Sequence, residues 1–231
     1  MQFIEKNSFN VRSAVYRLKK EGSALEFLIF PMIHVGSPEF YEEVSRRLAS
    51  CDLILAEGVK SRRANLITLS YRVVKHIRRM ELVTQHDGMR VEPFREKILN
   101  TDIDGAAFDE RWSRLPISLR AQFVVLVPVF VLYLFLFGTR ETLAENIALD
   151  DLPTSEEILS KDGDLESYDS LVVDERDRIL IEHIARLDEQ QEAKLIGIVY
   201  GAGHMRNTMR FLMQKLNYRI AGSEWVKIFD L

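Results

Sequence analysis

The chain has little of what would place it in several well-known classes of protein. It contains a single cysteine, Cys51, which excludes an internal disulfide and suits a reducing compartment. The motifs H-E-x-x-H, C-x-x-C and G-x-S-x-G are absent, so a zincin, a zinc finger or a nucleophile elbow has no support. Residues 1–10 lack the basic start and apolar run of a signal peptide. We therefore expect a cytoplasmic protein.

Composition limits the size of the core and the kind of partner. The 231 residues are 47% hydrophobic, which is enough to bury a large core in one domain. The formal net charge of −4 argues against a generic nucleic-acid binder. We therefore expect a single domain over residues 1–231 that binds no nucleic acid.

The segment Tyr200-Gly201-Ala202-Gly203-His204 lies where a predicted strand gives way to a helix. Leu195–Val199 is a short apolar run, typical of a strand covered on both faces. Over Met205–Leu216, apolar residues recur at the spacing of an amphipathic helix. Two glycines allow a tight backbone path and leave the histidine beside the positive end of that helix. His204 is therefore the strongest functional candidate in the chain.

Two other predicted strands end in the same way. Leu25–Ile33 ends at His34, and Leu53–Ala56 ends at Glu57. Because parallel strands end at one edge of a sheet, we expect His34, Glu57 and His204 to converge there. Strands that alternate with helices predict an α/β fold with a mixed, largely parallel sheet flanked by helices.

Two imidazoles and a carboxylate form a ligand set for a catalytic divalent metal such as Zn, Mn or Co. The metal would lower the pKa of a bound water and polarise a carbonyl group. Alternatively, Glu57 is the general base, and a further carboxylate binds the metal. Asp102 and Asp104 end another predicted strand and could supply it, although Asp104 could equally cap a helix. His34 and His204 could also do no more than structure their own turns.

Other polar groups are candidates for substrate binding. Gln85 and His86 follow a short strand and could donate to a substrate or an oxyanion, although His86 also fits a surface turn. Gly201 and Gly203 could contact substrate through the backbone, and phosphate is a rival ligand for their turn. Arg176 could form an ion pair inside the site or anchor a substrate carboxylate. On spacing alone, it also fits an ion pair on a helix surface.

The charged residues are unevenly distributed. Residues 58–80 hold seven Lys or Arg residues and no acid, and their apolar residues fall on one face of a predicted helix. This basic helix fits a solvated face over a core stripe, an anionic membrane surface or an acidic peptide ligand. Residues 141–192 hold seventeen acids against four Lys or Arg residues. Much of this acidic excess predicts a polar insertion.

An apolar segment lies in the middle of the chain. Phe123–Phe137 has no charged residue and contains Pro128. A bilayer span needs about 20 residues, with about 17 as the lower limit, so this run of fifteen is borderline. We expect a helical insertion over 104–170, with an apolar part at about 118–150.

The environment of that segment has several possible forms. A single membrane crossing would separate His34 and Glu57 from His204, so the predicted site could not form. We therefore favour a helix buried in protein, a homodimer contact through residues 121–138, or an interfacial element bent at Pro128. The last alternative makes the protein peripheral to a membrane.

The histidine turns and the glutamate resemble the TraB/TIKI family, also called TraB/PrgY/GumN. That family has two G-x-x-H motifs and a glutamate after the first. Val199-Tyr200-Gly201-Ala202-Gly203-His204-Met205 resembles its V-G-A-G-H-hydrophobic signature, and Glu175-Arg176-Asp177 resembles its E-R-N segment. Pro31-Met32-Ile33-His34 departs from the first motif, because proline stands where the family usually has glycine. The likeness extends from about Phe27 to Ile220.

The resemblance implies a TraB/TIKI-like domain and a metal-dependent hydrolase, since animal members of the family are described as metalloproteases. We therefore expect hydrolysis of a peptide or amide bond in a peptide or small-molecule substrate. His34, Glu57 and His204 would be the core of the site, with Arg176 contributing to catalysis. The alternative is a non-catalytic, membrane-associated protein that binds or regulates peptides.

Overall fold

The fold is built on a seven-stranded sheet, in a computed structural model that describes residues 1–58, 72, 76–150, 175–190, 192 and 194–231. In chain order, the strands are β1 (Ile4–Lys6), β2 (Asn10–Lys19), β3 (Glu26–Met32), β4 (Val35–Gly36), β5 (Leu53–Ala56), β6 (Val83–Thr84), β7 (Ile98–Asn100), β8 (Leu195–Gly201) and β9 (Arg219–Asp230). Strands β4 and β6 pair with each other in a separate small sheet, and the other seven form the main sheet.

The order of the main sheet is β1-β2-β3-β8-β5-β7, and β9 pairs with β2. The ladders β3–β8, β8–β5 and β5–β7 are parallel, whereas the ladders made by β2 are antiparallel. The predicted α/β fold with a mixed, largely parallel sheet is therefore confirmed. The parallel part is covered on both faces, which explains why β8 is an almost unbroken apolar run.

The longest strand of the sheet is β9, which runs without interruption from Arg219 to Asp230. It pairs with β2 along its whole length, with register shifts at two places. These irregularities let two long strands stay paired although the strand contains Gly222.

The described helices are α1 (Pro38–Leu48), α2 (Gln85–Gly88), α3 (Gly105–Arg114), α4 (Ile117–Phe137), α5 (Arg140–Asp150), α6 (Glu175–Gln190) and α7 (Met205–Arg210). Short 3₁₀ helices cover Arg78–Met80, Glu92–Lys97 and Ala202–His204, and a π-helical turn follows α7 at Phe211–Lys215. The predicted basic helix and the polar end of the insertion fall mainly on residues 59–71, 73–75 and 151–174, outside the described residues.

Two hydrophobic cores lie among these elements. In one, Phe40, Val44 and Leu48 of α1 pack with Ile54 of β5, and Cys51 lies among them. In the other, residues of α6 and α7 pack with β3 and β8. Burial raises the pKa of the Cys51 thiol to about 11, so this cysteine acts as a packing residue.

Helix α4 is continuous from Ile117 to Phe137, through Pro128. Only 6% of its 18-residue window Arg120–Phe137 is buried. Burial within the chain, one of the expected environments of this segment, is therefore wrong. By length and composition the window could cross a membrane, and it is the only such helix among the described residues.

Gly88 lies where α2 meets a buried aromatic ring. A Cβ atom there would lie 2.4 Å from Cδ2 of Tyr41. Tyr41 is fully buried, and its hydroxyl donates to the carbonyl of Ile33 at 2.9 Å, so the ring is held in place. We expect Gly88→Ala to lower the free energy of unfolding by about 1–3 kcal/mol through overpacking.

Urea unfolding measures this effect, and Gly222→Ala is the matched control. A Cβ at Gly222 meets no atom within 4 Å, so its effect should stay within about 0.5 kcal/mol. Equal losses in the two variants would contradict the role assigned to Tyr41.

Candidate functional site

Four polar side chains follow the ends of the four parallel strands. His34 follows β3, Glu57 follows β5, Asp102 follows β7 and His204 follows β8. Because these strands are parallel neighbours, their carboxyl ends lie at one edge of the sheet. The structure thus places the three predicted core residues along the same edge, together with Asp102.

Arg176 of α6 joins two of these residues. Its Nε donates to Oδ1 of Asp102 at 2.7 Å, and its Nη2 donates both to Oδ2 of Asp102 at 2.7 Å and to Oε1 of Glu57. The side chain of Arg176 is only 9% exposed, and that of Asp102 is fully buried. Arg176 therefore forms an ion pair inside the site, and the alternative of a helix-surface pair is wrong.

Asp102 has further partners in the backbone. Its Oδ2 accepts from the amide of Gly58 at 2.9 Å, and its Oδ1 accepts from the amide of Ile103 at 2.8 Å. Burial acts to lower the pKa of Arg176, but its bonds and charge interactions with Asp102 and Glu57 outweigh this and raise it above its ordinary value. The guanidinium is therefore a permanent cation between two carboxylates.

Glu57 is ionised over the whole physiological pH range. Burial acts to raise its pKa, but the charge of Arg176, electrostatic interactions with His204 and His34 and a hydrogen bond from the amide of Gly201 lower it to about 2. That amide donates to Oε2 at 2.8 Å. A general base works best with a pKa near the working pH, so Glu57 fits the role of an anionic ligand better than that of a base.

His204 is oriented by a second carboxylate. Its Nδ1 lies 2.6 Å from Oδ1 of Asp177, and Nδ2 of Asn207 donates to Oδ2 of Asp177 at 2.6 Å. Both His204 and Asp177 are buried, and the ring of Tyr200 lies edge-on to the imidazole at 5.5 Å. The contact assigns the proton to Nδ1, which makes Nε2 the nitrogen with the free electron pair.

Sequence reasoning missed Asp177 and Asn207. The one available indication was the position of Asp177 next to Arg176, in the segment that resembles the E-R-N motif. On α6, adjacent residues point in directions about 100° apart, so Arg176 reaches the strand ends of β5 and β7 while Asp177 reaches His204.

His34 and Gln85 lie next to each other. The amide of Gln85 donates to the carbonyl of His34 at 2.9 Å. The residues next to them, Val35 and Thr84, pair in the small β4–β6 sheet. The His34 side chain is exposed, at the solvent side of the site. His86 is exposed on α2, which agrees with the alternative prediction that it is a surface residue.

Asp104 serves as a helix cap. Its Oδ1 accepts from the amide of Ala107 at 2.7 Å at the start of α3, and the residue is exposed. Of the two roles predicted for Asp104, metal ligand and helix cap, the structure shows the helix cap.

The two glycines of the histidine turn differ in their surroundings. A Cβ at Gly201 would lie 3.3 Å from Oε2 of Glu57 and 3.7 Å from Cδ2 of His204, whereas a Cβ at Gly203 would meet no atom within 4 Å. Only Gly201 is therefore required for a close approach, and its amide is already bonded to Glu57.

The donor chemistry of His34, Glu57 and His204 fits a divalent metal, because Nε2 of His204 and the remaining lone pairs of Glu57 can bind one. Asp102 does not fit, because both of its oxygens face Arg176 and backbone amides. Within the described ranges, no group of three or more His, Cys, Asp or Glu side chains has metal-binding spacing. Metal binding would therefore require movement of side chains, of which exposed His34 is the least constrained by packing.

Comparisons with known proteins return no match: neither a protein-family model, nor a curated protein, nor a solved structure matches the chain. The resemblance to the TraB/TIKI family therefore stays a prediction that rests on the quoted motifs.

Proposed function

We propose that the chain is a hydrolase of peptide or amide bonds whose reacting groups lie at the strand-end edge. The observation that carries this proposal is the contact between His204 and Asp177, both of them buried. A carboxylate on Nδ1 fixes the tautomer and the orientation of the imidazole and leaves Nε2 as the electron-pair donor. This arrangement suits a histidine that binds a metal or takes a proton from water.

Each neighbouring residue has a role in this proposal. Glu57 supplies a fixed negative charge, and Arg176 holds that charge in place through its bond to Oε1. His34, at the exposed side, is placed to meet an incoming substrate. A divalent metal held by His34, Glu57 and His204 would supply the activation of water and the polarisation of the scissile carbonyl.

The test combines metal analysis with hydrolysis. Protein purified without chelator is assayed for bound divalent ions and for cleavage of a pool of short fluorogenic peptides. We expect His204→Ala to lower kcat/KM at least about a hundredfold, and Asp177→Asn to lower activity or metal affinity about 10–100-fold. The control is His183→Ala, because Nδ1 of His183 lies 2.9 Å from the carbonyl of Ile179 within its own helix.

Two results would contradict the proposal. If the protein binds no divalent ion, or if His204→Ala leaves its metal affinity unchanged, the metal site is wrong. If hydrolysis is absent, or is lost equally in His183→Ala, the catalytic role of His204 is wrong.

A second candidate function is a non-catalytic protein that binds or regulates peptides. It is favoured by Arg176, which pairs with both Glu57 and Asp102 in the way that a structural cation would. An inert, metal-free protein that still binds peptides would support it.

A further inference from the structure

Helix α4 exposes apolar side chains over most of its circumference. Successive residues of an α-helix point about 100° apart, so exposed runs of neighbouring residues face several directions. The remaining face carries the half-buried Val131 and the buried Leu134, which packs in the first hydrophobic core. The exposed apolar residues, most of them more than half exposed, are Ile117, Val124, Val125, Leu126, Val129, Phe130, Leu132, Tyr133, Phe135, Leu136 and Phe137. A soluble monomer rarely exposes so large an apolar surface, which therefore marks an interaction site.

The sheet excludes a single membrane crossing by this helix. Strand β8 follows α4 in the chain, yet it lies between β3 and β5, which precede α4. The two sides of the helix therefore belong to one sheet and stay on one side of a bilayer. The sequence between residues 138 and 194 contains no apolar run long enough for a return crossing.

Both ends of α4 are attached to polar structure. At its C-terminal end, the guanidinium of Arg79 donates to the carbonyls of Phe135 at 3.2 Å and Gly138 at 3.0 Å, and Arg140 donates to the carbonyl of Met80 at 2.7 Å. Its N-terminal end follows the charged helix α3, which cannot enter hydrocarbon. The helix must therefore lie along a surface, with both ends at the polar boundary.

The charged residues within the segment that contains α4 are all basic. Residues 111–140 contain four arginines and no acid, at positions 111, 114, 120 and 140. Two of them pair with acids outside the segment, Arg114 with Glu110 and Arg140 with Glu81. The Arg114 side chain is 73% exposed and a surface ion pair is weak, so its guanidinium can exchange Glu110 for the phosphate of an anionic lipid.

A second copy of the chain would cover this helix less completely. One partner helix contacts one side of α4 and leaves the rest of its wide apolar face in water, whereas the acyl chains of a leaflet contact that whole face when the helix lies below the headgroups. We propose that α4 lies below the headgroups of one leaflet of an anionic lipid bilayer, parallel to its surface, with the exposed side chain of Arg114 beside lipid phosphates. This membrane contact does not depend on the chemistry at the strand-end edge.

Vesicle flotation of the full chain tests this contact. We expect the protein to float with vesicles of phosphatidylcholine containing about a quarter phosphatidylglycerol, more weakly with phosphatidylcholine alone, and less as salt is raised. The double variant Val125→Glu and Leu132→Glu should abolish flotation, because it places charges on two exposed positions of α4. The matched control is Phe9→Glu, which changes an apolar residue that is 78% exposed and far from α4 in the chain. Circular dichroism of each variant reports whether it is folded.

Three outcomes would overturn the proposal. The first is a folded Val125→Glu and Leu132→Glu variant that floats like the unchanged protein. The second is a protein that ignores both kinds of vesicle and forms a dimer that this variant dissociates, which would assign α4 to a second copy. The third is protease protection of one terminal tag on vesicles and not of the other, which would indicate a crossing.

Discussion

Replacing Arg176 with alanine is expected to lower the free energy of unfolding by about 3–5 kcal/mol, because it removes one partner from a buried ion cluster. The variant would leave Glu57 and Asp102 facing each other without the cation that now bonds both carboxylates. The full burial of the Asp102 side chain makes water a poor substitute for the guanidinium. Urea unfolding at neutral pH measures the loss.

The matched control for this prediction is Arg178→Ala on the same helix. Arg178 is 66% exposed, and its Nε lies 3.9 Å from Oε1 of Glu182, so the variant should cost less than about 1 kcal/mol. A further variant, Arg176→Met with Glu57→Gln and Asp102→Asn, removes all three charges together and should recover part of the loss. Equal effects of Arg176→Ala and Arg178→Ala would show that the buried cluster does not stabilise the fold.

The stability of the protein should fall by about 3 kcal/mol on acidification through the titration of Glu57 alone. The folded state holds the pKa of this carboxyl at about 2, against an ordinary value of 4.5. A lowered pKa contributes stability that is fully present above the unfolded value and is lost as pH falls through the folded value. The loss attributable to Glu57 should therefore occur between about pH 5 and about pH 2.

The variant Glu57→Gln isolates this contribution. It should be less stable than the unchanged protein at neutral pH, and the difference should shrink as pH falls, because protonated glutamate then resembles glutamine. Glu43→Gln is the control: the pKa of Glu43 is also lowered to about 2, by its hydrogen bond to Arg46, but the pair is at the surface and contributes less than about 1 kcal/mol. A pH-independent difference between Glu57→Gln and the unchanged protein would contradict the assigned pKa.

The strand-end residues could be predicted because their signals are local. An apolar run of strand length that ends in His34, Glu57 or His204 is visible within about ten residues of sequence, and the edge position follows from parallel pairing. The start of α1 is set equally locally, since the Ser37 side chain accepts from the amide of Phe40 just before Pro38. The strand-end interpretation holds in the structure.

The partners of those residues could not be predicted in the same way. Arg176 bonds Asp102, 74 residues away, and His204 contacts Asp177, 27 residues away. No spacing rule relates a residue on a covering helix to a strand end, because the docking position of the helix depends on the whole core. The same limit applies to Asp104. Its sequence position allows both a metal ligand and a helix cap, and the start of α3 at Gly105 shows that it is the cap.

The sequence by itself determined the alternation of strands and helices, the polar residues at the strand ends and the apolar character of residues 123–137, because each depends on neighbours within a few turns. The tertiary structure decided that Arg176 is buried between two carboxylates, that Asp177 orients His204, and that α4 neither packs inside the chain nor crosses a bilayer once. The physical reason is sheet order. Placing β8 between β3 and β5 brings distant parts of the chain onto one edge and keeps them on one side of any membrane, and no local pattern encodes that order.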